Sequence, residues 1–212
     1  MRQKSAVNGL HLGGRSRRQF LVGGLVGGAA LATTLSGGVG RPAAAQAPSP
    51  EQDERIMRFA LALEYLQAAF YAEAVAQGAL SGEVAEFAQV VGEQERLHVE
   101  RLQELLGGAA QAEPELGLED ATSDEDAFLE AAVALEDTGV SAYIGQGANL
   151  TVDAVAALAP LVSVEARHAA WILDIAGRNP APAAADPAAT PASVQAAIER
   201  AGLTFPVDDV GN

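Results

Sequence analysis

The chain has 212 residues, with 28 acidic against 13 basic side chains, a formal charge of −15, three histidines and no cysteine. The missing cysteines exclude disulfides and thiolate metal sites, and the acidic balance argues against nucleic acid as a partner. The charge is unevenly spread: residues 1–45 hold six basic residues and no acidic one, whereas residues 46–212 hold all 28 acids against seven arginines, a formal charge of −21. That surplus is read as solubility or as adaptation to a salty or acidic setting.

The first 45 residues read as an export signal. Ser16-Arg17-Arg18-Gln19-Phe20-Leu21 resembles the twin-arginine motif, a weakly apolar, glycine-rich stretch runs from Phe20 to Leu35, and Ala43-Ala44-Ala45 is a small-residue cleavage pattern. The expectation is cleavage after Ala45 and delivery by the twin-arginine export machinery to the periplasm, cell envelope or exterior. An uncleaved membrane anchor is the alternative, but the segment is short and glycine-broken for a span that needs about 20 apolar residues. Twin-arginine passengers fold before export, often with a cofactor in place. That suits a metal protein, because metal choice at a carboxylate and imidazole site depends on what is available where it folds.

Four helices are predicted in residues 46–178 from apolar spacing of three and four. The first runs from about Pro50 to Gln77 and stops at Gly78, with Ile56, Phe59, Ala60, Leu63, Leu66, Phe70 and Val75 as apolar positions. The second opens at Ser81 and ends near Gly107-Gly108, offering Phe87, Val90, Val91, Leu97, Leu102 and Leu105 for burial. Ser123, followed by three acids suited to the positive end of a helix dipole, opens the third, which fades around residues 145–147. Thr151 opens the fourth, ending at Gly177, with Pro160 as a kink or a restart. Tyr65 and Trp171 are assigned to the core, and Glu93 and Glu100 to solvated faces. Residues 179–212 form a Pro/Ala-rich C-terminal extension with a short helix near residues 192–200.

Both histidines beyond the N-terminal segment carry a glutamate three residues upstream, Glu95 before His98 and Glu165 before His168, and each is preceded by Ala-Leu-Glu, at Glu64 and Glu136. Glutamate fills 18 of the 167 positions from residue 46 onward, so chance places it three residues before both histidines about once in a hundred cases. Residues i and i+3 share a helix face, so each Glu-x-x-His pair can aim at one point. Glu64 lies 14 residues before Gly78 and Glu95 lies 14 after Ser81, which puts both about 21 Å from the turn at 1.5 Å per residue. Glu136 and Glu165 agree in height within one turn. The connection of residues 108–122 spans roughly 50 Å at about 3.3 Å per residue, enough to cross the bundle and make the second and third helices parallel. A repeat supports the resulting twofold relation: Glu136 follows Glu64 by 72 residues, Glu165 and His168 follow Glu95 and His98 by 70, and Tyr71 and Tyr143 each stand seven after their glutamates.

Glu64, Glu95, His98, Glu136, Glu165 and His168 are therefore the candidate ligands of two metal ions in the middle of an all-α four-helix bundle. Four carboxylates balance two divalent ions, and without metal they repel and hold protons. Oxygen ligands with imidazole suit iron first and manganese as the alternative, with zinc as the impostor. Glu95 and Glu165 are expected to bridge, Glu64 and Glu136 to be terminal, and one histidine to serve each ion. Tyr71 and Tyr143 stand close enough to support the ligands or quench stray oxidants, with core packing and a bonded hydroxyl as the alternative for both.

At these residues the chain resembles the ferritin-like superfamily, in particular exported ferritin-like domain proteins akin to desiccation-related proteins and, more distantly, rubrerythrins. The resemblance covers about residues 52–203. Val164-Glu165-Ala166-Arg167-His168 is its most specific stretch, and Arg178-Asn179-Pro180 with the following Ala/Pro run looks like that family's C-terminal extension. The tail departs from the family at residues 181–185, alanine and proline where an aromatic is expected, which weakens its packing. The resemblance implies a di-iron or di-manganese bundle, with catalysis by Glu64, Glu95, Glu136 and Glu165 through bound metals. Three functions are open: a redox enzyme using oxygen or peroxide (ferroxidase, peroxidase or manganese catalase), a metal-binding or storage protein, and a structural stress protein of the envelope. A homodimer is an open assembly, and a rubredoxin-like module is excluded by the missing cysteines.

Overall fold

The computed structural model describes residues 47–118 and 120–206. The export-signal reading of residues 1–45 lies outside them. Among the described residues there are five α-helices: α1 (Pro50–Gln77), α2 (Gly82–Leu106), α3 (Glu125–Gly147), α4 (Val152–Ile175) and α5 (Pro191–Arg200). None is long and apolar enough to cross a membrane.

The helix ends follow local chemistry. Ser49 caps α1 by accepting from the Gln52 amide, Pro50 fills the first position where no N–H is needed, and Gly78 ends the helix at φ 68°. Ser81 opens α2 but makes no capping bond with its side chain, because its amide and hydroxyl both donate to Glu125 at 2.8 and 2.9 Å. The cap of α3 is Asp124 rather than the expected Ser123; its carboxylate accepts from the Ala127 amide at 2.9 Å. Thr151 caps α4, which runs through Pro160 without a restart and ends at Ile175, two residues before the expected Gly177.

Hydrogen bonds fix the directions of the helices. The connection after α2 begins beside the first half of α1, where Gln111 donates to the Arg58 carbonyl and its own carbonyl accepts from Tyr65. It ends beside the last turn of α1, where Gln77 donates to Thr122 at 2.9 Å. The connection thus crosses the bundle along α1, and α2 and α3 run parallel, as the loop length predicts. Asp53 near the start of α1 accepts from the amide and hydroxyl of Thr151, tying in the turn between α3 and α4.

Two apolar clusters fill the interior. One contains Phe70, Tyr71, Phe87 and Phe128, with Phe70 and Phe128 stacked at 5.2 Å; the other contains Ile56, Leu61, Leu102 and Leu158. Three positions expected to be apolar contacts, Val75, Val90 and Leu97, are instead exposed. Tyr65 is buried, Trp171 is half-buried against Phe87 with its N–H donated to Glu83, and Glu93 and Glu100 pair with Arg96 on the surface. Val75 and Val90 lie one turn from buried Tyr71 and Phe87, and Leu97 stands among exposed Glu93, Glu100 and Arg101, so periodicity alone assigns a face too generously.

Among the described residues, the C-terminal extension is held to the bundle from Ala189 onward. Residues 177–188, including the Ala/Pro run, are exposed, which agrees with weak packing there. Beyond them Val194, Ile198, Leu203 and Phe205 join the core, and Thr204 pairs with Gly117 of the crossover in an isolated bridge. Ala189 donates its amide to the Ser141 carbonyl and lies so close to Gly145 that a Cβ there would meet the Ala189 carbonyl oxygen at 1.8 Å. We predict that Gly145→Ala displaces the tail at a cost of roughly 1–3 kcal/mol, seen as a lower denaturation midpoint and faster proteolysis within residues 179–190. Unchanged values for both would refute this contact as the anchor.

Candidate metal centre

The six expected residues meet between the two apolar clusters. Glu64 comes from α1, Glu95 and His98 from α2, Glu136 from α3, and Glu165 and His168 from α4. Each is at most 7 % exposed. The local reason is spacing: Glu95 with His98, and Glu165 with His168, stand one turn apart on the inward face of their helices. The burial pattern along residues 91–99 is the same as along residues 161–169, so the repeat seen in sequence is also a repeat in environment.

Their donor atoms form two groups, Glu64/Glu95/His98/Glu165 and Glu95/Glu136/Glu165/His168, each with its ligand atoms within 4.8 Å of one another. Glu95 and Glu165 belong to both. His98 Nδ1 lies 2.8 Å from Glu165, 3.1 Å from Glu95 and 3.4 Å from Glu64. His168 Nδ1 lies 2.9 Å from Glu95 and 3.6 Å from Glu136. Of these contacts, that of His98 Nδ1 with Glu95 Oε2 is a hydrogen bond. Glu95 Oε1 and His168 Nδ1, 2.9 Å apart, are out of line for a hydrogen bond, and both are buried without a partner. The same holds for one oxygen each of Glu64 and Glu136 and for both oxygens of Glu165. Buried polar atoms left unpaired are costly, and so many facing one small volume fit metal coordination. The set of carboxylate and imidazole donors suits hard or borderline divalent ions.

The electrostatics are those of a crowded carboxylate site. Burial, reinforced by the Glu64 charge, pushes the Glu95 carboxyl well above its usual range; burial and the Glu95 charge do the same to Glu165. Burial also opposes charge on Glu64, but the nearby His98 and Glu95 and the hydrogen bond from Tyr143 outweigh it and leave Glu64 low. His98 loses some basicity to burial, yet its contacts with Glu165, Glu64 and Glu95 raise it to about 12.

Both tyrosines support ligands, and they do so crosswise. Tyr71 of α1 donates to Glu136 of α3 at 2.5 Å, while Tyr143 of α3 donates to Glu64 of α1 at 2.5 Å. Each phenol therefore holds the glutamate of the other helical hairpin, not the one seven residues before it. Burial, with the facing carboxylate charges, raises both phenols well above their ordinary value, so each O–H stays a donor. Two further residues were not identified from the sequence. Gln67, one turn after Glu64, donates to Glu136 Oε1 at 3.4 Å, and the Gln94 amide oxygen sits 2.7 Å from His168 Nε2. Their positions on the ligand-bearing faces of α1 and α2 were a usable signal, but glutamine alone carries no metal signature.

The model of the ferritin-like domain family matches residues 52–178, more than half of the chain. Comparison with curated proteins gives no match. The ferritin-like domain and the buried carboxylate and histidine cluster are compatible with a di-metal site. Removing the Tyr71 hydroxyl in Tyr71→Phe should cost the metal-free protein about 1–3 kcal/mol, since a buried carboxylate oxygen loses its shortest donor. Chemical denaturation measures it, and a change below a few tenths would show that the bond contributes nothing.

Proposed function

Starting from a chain that belongs to the ferritin-like domain family, we propose that it is an exported di-metal carboxylate protein that reacts with oxygen or peroxide. The observation that carries this reading is the pair of four-atom donor groups sharing Glu95 and Glu165. The four carboxylates would offset the charge of two divalent ions, iron first and manganese as the alternative. Glu64 with His98, and Glu136 with His168, would hold one ion each, and Glu95 and Glu165 would hold both. Two adjacent redox-active ions, when bound, supply the two electrons that reduction of peroxide takes.

The protein's own part is to position, neutralise and exclude water. Near-complete burial of the ligands keeps bulk solvent from the donor atoms and strengthens every charge interaction among them. The crosswise phenols orient one oxygen each of Glu64 and Glu136 and leave the other oxygen free to ligate. Oxygen and peroxide are small enough to enter a buried centre without a shaped substrate pocket. Export belongs to the same proposal: the motif at Arg17-Arg18 fits a route on which the protein folds around its metal before leaving the cytoplasm.

Protein collected after export by its native route should contain about two metal ions per chain by elemental analysis and begin at Gln46. The ferrous form should change its visible absorbance on addition of peroxide. Glu165→Gln, which alters a carboxylate common to both donor groups, should lower bound metal at least tenfold in affinity and abolish the absorbance change. Two bound ions with no response to oxygen or peroxide would eliminate the redox reading and leave a structural metal site. Much more than two ions per chain would mark storage.

A further inference from the structure

The twofold repeat that builds the centre is broken in the residues that surround it. Gln94 accepts from His168 Nε2 at 2.7 Å, which fixes the tautomer with the lone pair on Nδ1, the atom that faces the carboxylates. The repeat of 70 residues places Val164 where a second such glutamine would stand, and His98 makes its polar contacts through Nδ1 alone among the described residues. Gln67 gives Glu136 Oε1 a second donor beside Tyr71. The repeat of 72 residues places Gly139 opposite Gln67, and a Cβ built at Gly139 would lie 3.5 Å from the Gln67 amide nitrogen and 3.3 Å from Glu165 Oε2. That glycine therefore leaves room for the glutamine and supplies no counterpart to it. Tyr71 is fully buried, whereas Tyr143, the phenol on Glu64, is half-buried.

Resting on the di-metal reading above, we infer that the two metal positions are unequal: Gln94 and Gln67 make the Glu136/His168 position the tight one, and the Glu64/His98 position is the exchangeable one. The outer partners of metal ligands orient them and raise their basicity, and losing one typically weakens metal binding about 10- to 100-fold. One half of the centre has three such partners, Gln94, Gln67 and Tyr71. The other has Tyr143 alone. A pre-oriented imidazole and a doubly held carboxylate lose less freedom when a metal arrives. Gln94 is thus a positioning residue: it acts on the ion through His168 and touches no donor atom of the other half.

The test is titration of the metal-free, full-length protein with Mn(II), followed by calorimetry and by the electron paramagnetic resonance of the bound ion. The wild type should take up one ion with an isolated six-line spectrum before a second, weaker ion produces a spin-coupled pair. Gln94→Leu should weaken the first step about 10- to 100-fold and leave the second unchanged, while Gln94→Glu, which keeps an acceptor, should restore it. Val164→Gln should tighten the second step. Uptake of two ions in a single step by the wild type, or equal weakening of both steps by Gln94→Leu, would overturn the inequality while leaving the di-metal reading intact. No Mn(II) uptake at all by the wild type would sink both.

Discussion

Four glutamates buried at one level of a helix bundle are the constraint on which everything else in this molecule depends. Carboxylates taken from water into an apolar interior must be protonated, paired or neutralised by a cation. Burial and mutual repulsion push the Glu95 and Glu165 carboxyls up, the neighbourhood of His98 and the Tyr143 hydroxyl keep Glu64 low, and the unpaired oxygens converge on the volumes between them. The apolar clusters on either side, one around Phe70 and Phe128 and the other around Leu61 and Leu158, set this polar layer at mid-bundle. They also remove the water that would otherwise screen it.

Much of this was legible in the sequence, because the signals were matters of geometry with few alternatives. A glutamate three residues before a histidine on a helix admits one shared direction, and equal distances from a tight turn admit one shared height. The start at Thr151, the stop at Gly78 and the crossing loop followed in the same way. What escaped depended on contacts between helices. Periodicity assigned Val75, Val90 and Leu97 to the interior, but it cannot say where an apolar stripe ends against its neighbours. Asp124 displaced Ser123 as the cap because one residue of frame shift is invisible when both can accept a bond.

The surroundings of the centre were the least legible part. The pairing of each tyrosine with the glutamate of the opposite hairpin depends on how the hairpins face one another, and the repeat distance suggests the local partner just as readily. Gln67 and Gln94 are marked out from the other glutamines of the chain only by the faces they occupy. The tail shows the converse case. Its Ala/Pro run is as exposed as composition implies, yet Leu203 and Phe205 further on are buried in the core.

The crosswise phenols have a consequence for how the two halves of the molecule relate. Each donor group takes three residues from one hairpin and one from the other, and the supporting hydroxyl also crosses over. Neither half owns a complete donor group, so the arrangement has the interdependence of an exchanged dimer, with the loop along α1 in place of an encounter between two chains. That covalent tether fixes the local concentration of one half around the other. Dilution of the protein would then leave the assembly of the centre untouched.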